Sequence, residues 1–368
     1  MMEGESVCRG SSVAGDSLPE SSWIRGEVMR GSRWGAVCSL TVLVMTAVAS
    51  LSRAEPIVEL VASRVIVPTL EGPTEEAPVV SSLALNPTGD LLATVGDDHL
   101  VWLWDARGGQ LLRRLVAHSD WVESAVFSPD GTILATAGRD GRITLWSPEA
   151  EQPFRTLPEQ PGGVCALVFT PDGRLLAAAG YGDAVWLYDG RTGEAQGMLD
   201  APCRDLRALA CSPDSTRLAA AGRTGCIRIW DLGTGRPVQD LGQHRRRVRA
   251  LAYSADGTRL ASGGDERSIL IWDTATGSLV DSMPQRPGAV LSLAFCGSKK
   301  LAAGSSDNLI RVWDLDTRTE ALRLVGHTGS VSALVWDAQA CQLVSGSFDT
   351  TVRFWPLEES KFKTASRR

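Results

Sequence analysis

Along most of the chain the apolar and polar positions form one phrase that recurs seven times, each copy closing on an aromatic residue approached by alternating β-formers. Three and one positions before that aromatic stand Val101 and Leu103 before Trp104, Ile143 and Leu145 before Trp146, Val185 and Leu187 before Tyr188, and Ile227 and Ile229 before Trp230. The series continues with Ile269 and Ile271 before Trp272, Ile310 and Val312 before Trp313, and Val352 and Phe354 before Trp355. Alternation with period two predicts a strand with one buried face. The closing aromatics follow one another at 42, 42, 42, 42, 41 and 42 residues. Eighteen residues before five of them stands a turn: Asn86-Pro87-Thr88-Gly89, Ser128-Pro129-Asp130-Gly131, Thr170-Pro171-Asp172-Gly173, Ser212-Pro213-Asp214-Ser215 and Ser254-Ala255-Asp256-Gly257. Proline presets φ, Asp tolerates the turn and glycine supplies a positive φ, so each turn joins two strands as a hairpin.

Five of the seven closing aromatics are followed by Asp, and this signature, with its period, resembles the WD-repeat family. The resemblance implies an all-β fold, a seven-bladed β-propeller with one four-stranded blade per repeat. It also implies a buried network of a His before the first strand, a Ser or Thr on the second, an Asp in the next turn and the strand-three Trp. Two repeats carry all four: His118, Thr136, Asp140 and Trp146, then His327, Ser345, Asp349 and Trp355. A third has His244, Ser262 and Trp272, with Glu266 where Asp is expected. An indole N–H only donates, a hydroxyl donates and accepts, and an imidazole held by a carboxylate keeps one tautomer, so the four satisfy one another inside an apolar blade.

The remaining repeats depart from the pattern. Repeat one keeps Thr94, Asp98 and Trp104 with Glu76 near the His place, and repeat six keeps Asp307 and Trp313 with Ala303 for the hydroxyl. Repeats three and four have Ala178 and Gly182 before Tyr188, and Ala220 and Thr224 before Trp230. Blades three and four are expected to rely on packing. Repeat seven ends at Trp355 with only Pro356 and a charged tail behind it, so its blade lacks a fourth strand. Residues 56–70, and Arg64 to Leu70 within them, have the character to supply it, as the first strand does in WD-repeat propellers.

Before the repeats the pattern changes twice. Residues 1–28 are polar without periodicity and read as a disordered or untranslated leader. Residues 29–54 place Arg30 and Arg33 ahead of an uncharged run from Trp34 to Ser52, and Ser52-Arg53-Ala54 offers small residues at a signal-peptidase site. The expectation is a secretory signal peptide, with translation from Met29, cleavage after Ala54 and a propeller over residues 55–368. An uncleaved signal anchor and a cytosolic protein with an apolar leader are the alternatives.

Composition narrows the function. Of 368 residues, 43% are hydrophobic and 22% charged, as suits a turn-rich all-β protein, and a net charge of −6 gives no case for binding nucleic acid. Three of the four histidines, His118, His244 and His327, occupy the structural place, leaving only His99. With no Cys-x-x-Cys pair, no clustered His and Cys, no glycine-rich phosphate loop and no Gly-x-Ser-x-Gly elbow, neither a cofactor nor a metal nor a catalytic residue is expected. Among eight cysteines, Cys8 and Cys38 belong to the leader, and Cys165 and Cys211 read as buried apolar residues. Cys203 and Cys226 flank the places where repeat four lacks its His and Asp, and are either a disulfide or two separate thiols.

The family resemblance places on or near one rim Trp121, Arg139, Tyr181, Arg204, Arg207, Arg223, Arg245, Arg246, Arg247, Arg249 and Phe348. Arginines and exposed aromatics anchor interfaces. The expected protein is therefore a monomeric, non-catalytic scaffold, exported or membrane-tethered through its N-terminal segment, that holds a protein or peptide, notably an acidic one. The rival is an intracellular WD-repeat scaffold of a multiprotein complex; a propeller enzyme finds no support in the residues.

Overall fold

One repeat becomes one sheet in the way residues 80–116 show. Val80–Leu85, Leu91–Gly96, Leu100–Asp105 and Leu111–Val116 lie antiparallel in chain order, with Ala93 opposite Leu103 and Thr94 opposite Trp102. The structure is a computed structural model that describes residues 57–67, 77–116, 118–201, 203–285 and 287–357. The expectations for residues 1–28 and 29–54, and for Glu76, lie outside the described residues. Across those described, seven such sheets form, and no helix is long and apolar enough to cross a membrane.

The first strand of each sheet is innermost and packs on the first strand of the next, until Val331–Asp337 of blade seven returns to Val80–Leu85 of blade one. The ring is closed. Each of these inner strands carries a register shift after its first residue, as between Val80 and Ser82 or Val331 and Ala333. The bulge adds local twist.

The core lies between neighbouring blades. Trp146 of blade two packs with Val101, Leu103 and Leu115 of blade one, and Trp104 of blade one with Val344, Val352 and Phe354 of blade seven. Trp146, Trp230, Trp272 and Trp355 are fully buried. Each such indole contributes about 4–6 kcal/mol of apolar burial.

Glycine at the end of the second strand answers a close approach of backbone, not a turn. A Cβ on Gly138, Gly180, Gly222 or Gly264 would stand 2.0–2.2 Å from the carbonyl oxygen of Trp121, Gly163, Asp205 or Arg247. In blades six and seven Ser305 and Ser347 take that place, and glycine moves across to Gly288 and Gly329.

The closing strand forms where the sequence placed it, though shorter. Arg64–Ile66 runs antiparallel to Val352–Pro356, with Arg64 opposite Phe354 and Ile66 opposite Val352. Arg64 lies 3.7 Å over the Phe354 ring and donates to the carbonyl oxygens of Ala106 and Arg107 in blade one. Sequence reasoning missed a second strap: Val58–Leu60 adds in parallel to the outer strand of blade six, Thr319–Leu324. One short segment thus ties blades six, seven and one. Blade two has the smallest outer strand, Arg155–Thr156, between Pro153 and Pro158, whose missing N–H groups shorten any ladder.

Candidate functional site

The three expected networks are present. In blade two the Trp146 indole donates to Thr136 Oγ1 at 2.9 Å, that oxygen lies 2.9 Å from His118 Nε2, and His118 Nδ1 lies 3.0 Å from Asp140. The same links in blade seven measure 2.8, 2.7 and 2.9 Å through Trp355, Ser345, His327 and Asp349. In blade five they measure 2.8, 2.8 and 3.0 Å through Trp272, Ser262, His244 and Glu266, whose extra methylene still reaches the imidazole. Because the hydroxyl accepts the indole proton, it donates to Nε2, and Nδ1–H points at the carboxylate. The carboxylates also accept from the amides of Ser119, Arg245 and Thr328, so each network pins the loop that leads to the rim.

Burial lowers the pKa of His118 and His244 despite the carboxylate beside each. Burial works against ionising Asp349, but hydrogen bonds from His327, Thr351 and the Thr328 amide hold its carboxyl well below the usual range.

Blade three does not rely on packing alone, which corrects the sequence expectation, and blades one and six fill their gaps with other side chains. In blade one Trp104 keeps its bond to Thr94 at 2.9 Å, and the Trp102 indole, stacked 5.6 Å from Trp104, takes over the imidazole's part by donating to Asp98 at 2.6 Å. Gln160 in blade three donates to the Tyr188 hydroxyl at 2.7 Å. Gln285, wholly buried in blade six, accepts from the Trp313 indole at 3.3 Å, while Asp307 pairs with the buried Arg311 at 2.7 Å. Blade four has Ala220 and Thr224 at these places and buries Trp230 by packing.

The rim residues fall into two groups. Arg139 stacks 4.3 Å over Trp121 and pairs with Glu123 at 2.7 Å; Arg207 stacks 4.4 Å over Tyr181. Asp205 holds both Arg207 and Arg247, at 2.6 and 2.7 Å, Asp265 holds Arg249 at 2.5 Å, and Asp183 lies 3.6 Å from Arg204. Five rim guanidiniums thus face a carboxylate, with Asp205 shared between Arg207 and Arg247, so the positive charge this rim presents is smaller than its arginine count. Arg223, Arg245 and Arg246 are exposed, and among the described residues none of them forms an ion pair. Their loops adjoin, because Gly225, two residues after Arg223, lies directly against the backbone of His244 and Arg246. Phe348 is exposed on blade seven. The counter-charges Glu123, Asp183, Asp205 and Asp265 were missed; Glu123, Asp205 and Asp265 stand sixteen, two and sixteen residues from Arg139, Arg207 and Arg249, but the pairing of Asp205 with Arg247 across 42 residues has no local signal.

Cys165, Cys203, Cys211 and Cys226 are half-buried and unbonded. Burial pushes the thiols of Cys165 to about 11 and of Cys211 and Cys296 to about 12, which leaves little thiolate for chemistry. Among the described residues no three His, Cys, Asp or Glu side chains are grouped to hold a metal ion.

The profile described as "WD domain, G-beta repeat" matches residues 64–105, 109–147, 151–189, 193–231, 235–273, 277–314 and 318–356. The chain belongs to the WD-repeat family. Each WD repeat opens on the outer strand of the preceding blade, which is why the first begins at Arg64, in the blade that closes the ring. Similar WD-repeat stretches occur in THO complex subunit 3 of Arabidopsis thaliana, 39% identical over 67 residues, which is 17% of this chain and 21% of that protein. Others are in the B-type cell cycle switch protein ccs52B of Medicago truncatula, 35% identical over 63 residues (16% and 13%), and the ribosome biogenesis protein YTM1 of Eremothecium gossypii, 34% over 67 residues (18% and 15%). The match thus spans about a fifth or less of these curated relatives.

Proposed function

We propose that this WD-repeat propeller is a non-catalytic scaffold that holds a protein or peptide partner on the rim between blades four and five. The observation that carries it is that Arg223, Arg245 and Arg246, on adjoining loops of a rigid ring, hold no ion pair among the described residues, whereas the other rim arginines each face a carboxylate. Unpaired guanidiniums favour carboxylate- or phosphate-bearing segments, so the partner is an acidic peptide. Trp121, Tyr181 and Phe348 extend the same face with aromatic surface.

The relatives, a THO complex subunit and a ribosome biogenesis protein among them, support the intracellular scaffold over the exported one. The exported or tethered reading keeps one specific observation, the uncharged run before Ser52-Arg53-Ala54. Intact mass and cell fraction of the protein expressed from its own gene separate the two. Full-length protein in the cytoplasm supports the first, and a chain beginning at Glu55 outside the cytoplasm overturns it. For the rim, a labelled glutamate-rich peptide should bind the wild type in low salt and lose affinity as salt rises; salt-independent binding would place the partner elsewhere.

A further inference from the structure

Blade four lacks the His and carboxylate that pin the rim loops of blades two, five and seven, and two cysteines frame the gap. Cys203 lies on the loop entering the inner strand Leu206–Cys211, and Cys226 immediately precedes the third strand Ile227–Asp231. The two loops are already joined by backbone, since the Arg223 amide donates to Asp205 O at 3.2 Å and Leu206 pairs with Gly222.

The repeat itself shows which corner the two residues border. Counted back from the closing tryptophan, Cys203 stands where Thr328 does in blade seven, and Cys226 where Thr351 does. There both positions meet at one carboxylate: Asp349 accepts from the Thr328 amide at 2.8 Å and from Thr351 Oγ1 at 2.7 Å, and Thr351 Oγ1 also lies 3.3 Å from His327. In blade four that carboxylate is Thr224, which is exposed. Cys203 and Cys226 therefore border the corner that a carboxylate fills elsewhere, both half-buried and both unbonded. Burial and the facing Asp240 raise the Cys226 thiol, Arg228 opposes them, and Cys203 is near enough to add to the rise.

We propose that Cys203 and Cys226 form a reversible disulfide that clamps the rim loops of blade four in place of the absent His–carboxylate pair. The oxidant is a low-molecular-weight disulfide. The Cys203 thiolate attacks it and expels one thiolate, giving a mixed disulfide; Cys226 then loses its proton and displaces the second. Two protein thiols and one small disulfide become one protein disulfide and two small thiols. In a reducing compartment the clamp is open, and in an oxidising one it is closed. The bond stands independently of what the rim binds.

The test uses the full chain incubated with oxidised or reduced glutathione, alkylated, digested and mapped by mass. The oxidised sample should yield a Cys203–Cys226 linked peptide two hydrogens lighter than its reduced parts. Its Tm should lie roughly 5 °C above that of the reduced form. That difference should vanish in Cys203→Ser and in Cys226→Ser, and persist in Cys341→Ser, which removes the exposed thiol. Reduced-state melting of the two serine variants, unchanged from wild type, shows that they fold. Alkylated or separately glutathionylated Cys203 and Cys226 after oxidation would overturn the proposal, as would a bond from either to another cysteine.

Discussion

Blades seven and four are written in the same repeat and hold their rim loops by opposite means. Blade seven has the whole network and the closing strand, with Asp349 receiving His327, Thr351 and the Thr328 amide and Arg64 stacked on Phe354. Blade four has neither. It presents Arg204 and Arg223 on loops tied only by backbone and by ion pairs such as Arg207 with Asp205. The difference teaches that the network is a local anchor rather than a condition of the fold, because Trp230 is buried as fully as Trp355. Of the three unpaired guanidiniums only Arg223 stands on this unanchored blade; Arg245 and Arg246 stand on the adjoining blade-five loop, whose Arg245 amide Glu266 holds.

The sharpest way to break the comparison is to remove what blade seven has in excess. Deleting residues 57–67 strips two strands from blades six and seven and the Arg64 contacts with blade one. It uncovers strand edges and the apolar contacts of Ile66 and Leu60, a loss of roughly 4–6 kcal/mol. Thermal and urea unfolding of the deletion against the full chain should show an early, broadened transition. Coincident curves would mean that the ring closes without its strap.

Next in size is one position compared in two blades. Asp349→Ala removes an acceptor that is 5% exposed and leaves the His327 ring and the Thr328 amide without it, a cost of about 2–4 kcal/mol. Thr224→Ala, the same place in blade four, should cost less than about 0.5 kcal/mol, since Thr224 is exposed and accepts only a long bond from the Cys226 amide. Urea midpoints at constant slope measure both. Equal losses would mean that blade four carries an anchor after all.

How much of this contrast could be read from sequence follows from what each feature depends on. The strands, their hairpins and the sevenfold repeat were legible, because alternation, turn chemistry and a fixed period are properties of neighbouring residues. The ring, its closing strand and the three full networks followed from the family resemblance that this repeat carries. The substitutes were not: Gln285 accepting from Trp313, Gln160 donating to Tyr188 and Trp102 donating to Asp98 each place an unforeseen side chain in a familiar role. Nor was the pairing of five rim arginines with carboxylates legible, since it depends on which acids face them across loops and blades, as Asp205 faces Arg247. The parallel strap Val58–Leu60 had no signal beyond three more residues of β character.

A smaller effect distinguishes the anchored blades by pH. Unfolded imidazoles titrate near 6.5, and burial lowers His118 and His244 below that in the fold. Below 6.5 the unfolded chain therefore binds more protons, so the contribution is full above 6.5 and is lost as pH falls towards the folded values. The depressed Asp349 carboxyl acts in the same direction further down, with stability present above the ordinary carboxylate range and lost on acidification. Urea midpoints between pH 7.5 and about 5 should fall for wild type, and fall less steeply for His118→Gln. A flat profile in the wild type would show that these histidines are protonated as readily in the fold as outside it.

The smallest effect on stability should be the largest on binding. Arg245→Glu with Arg246→Glu reverses two exposed charges that hold no ion pair among the described residues, so the Tm should move by no more than about 1–2 °C. Affinity for a glutamate-rich peptide should fall at least about tenfold, because attraction becomes repulsion at the point of contact. Arg207→Ala sets the opposite expectation: it removes the stack on Tyr181 and frees half of Asp205's charge, so stability should drop and binding change less. Comparing the two variants by melting and by fluorescence anisotropy separates rim arginines that build the propeller from those that face its partner. Should Arg207→Ala cost more affinity than the double reversal, the binding surface would lie toward blade three, where Tyr181 and Arg207 meet, and the unpaired cluster would be solvated surface.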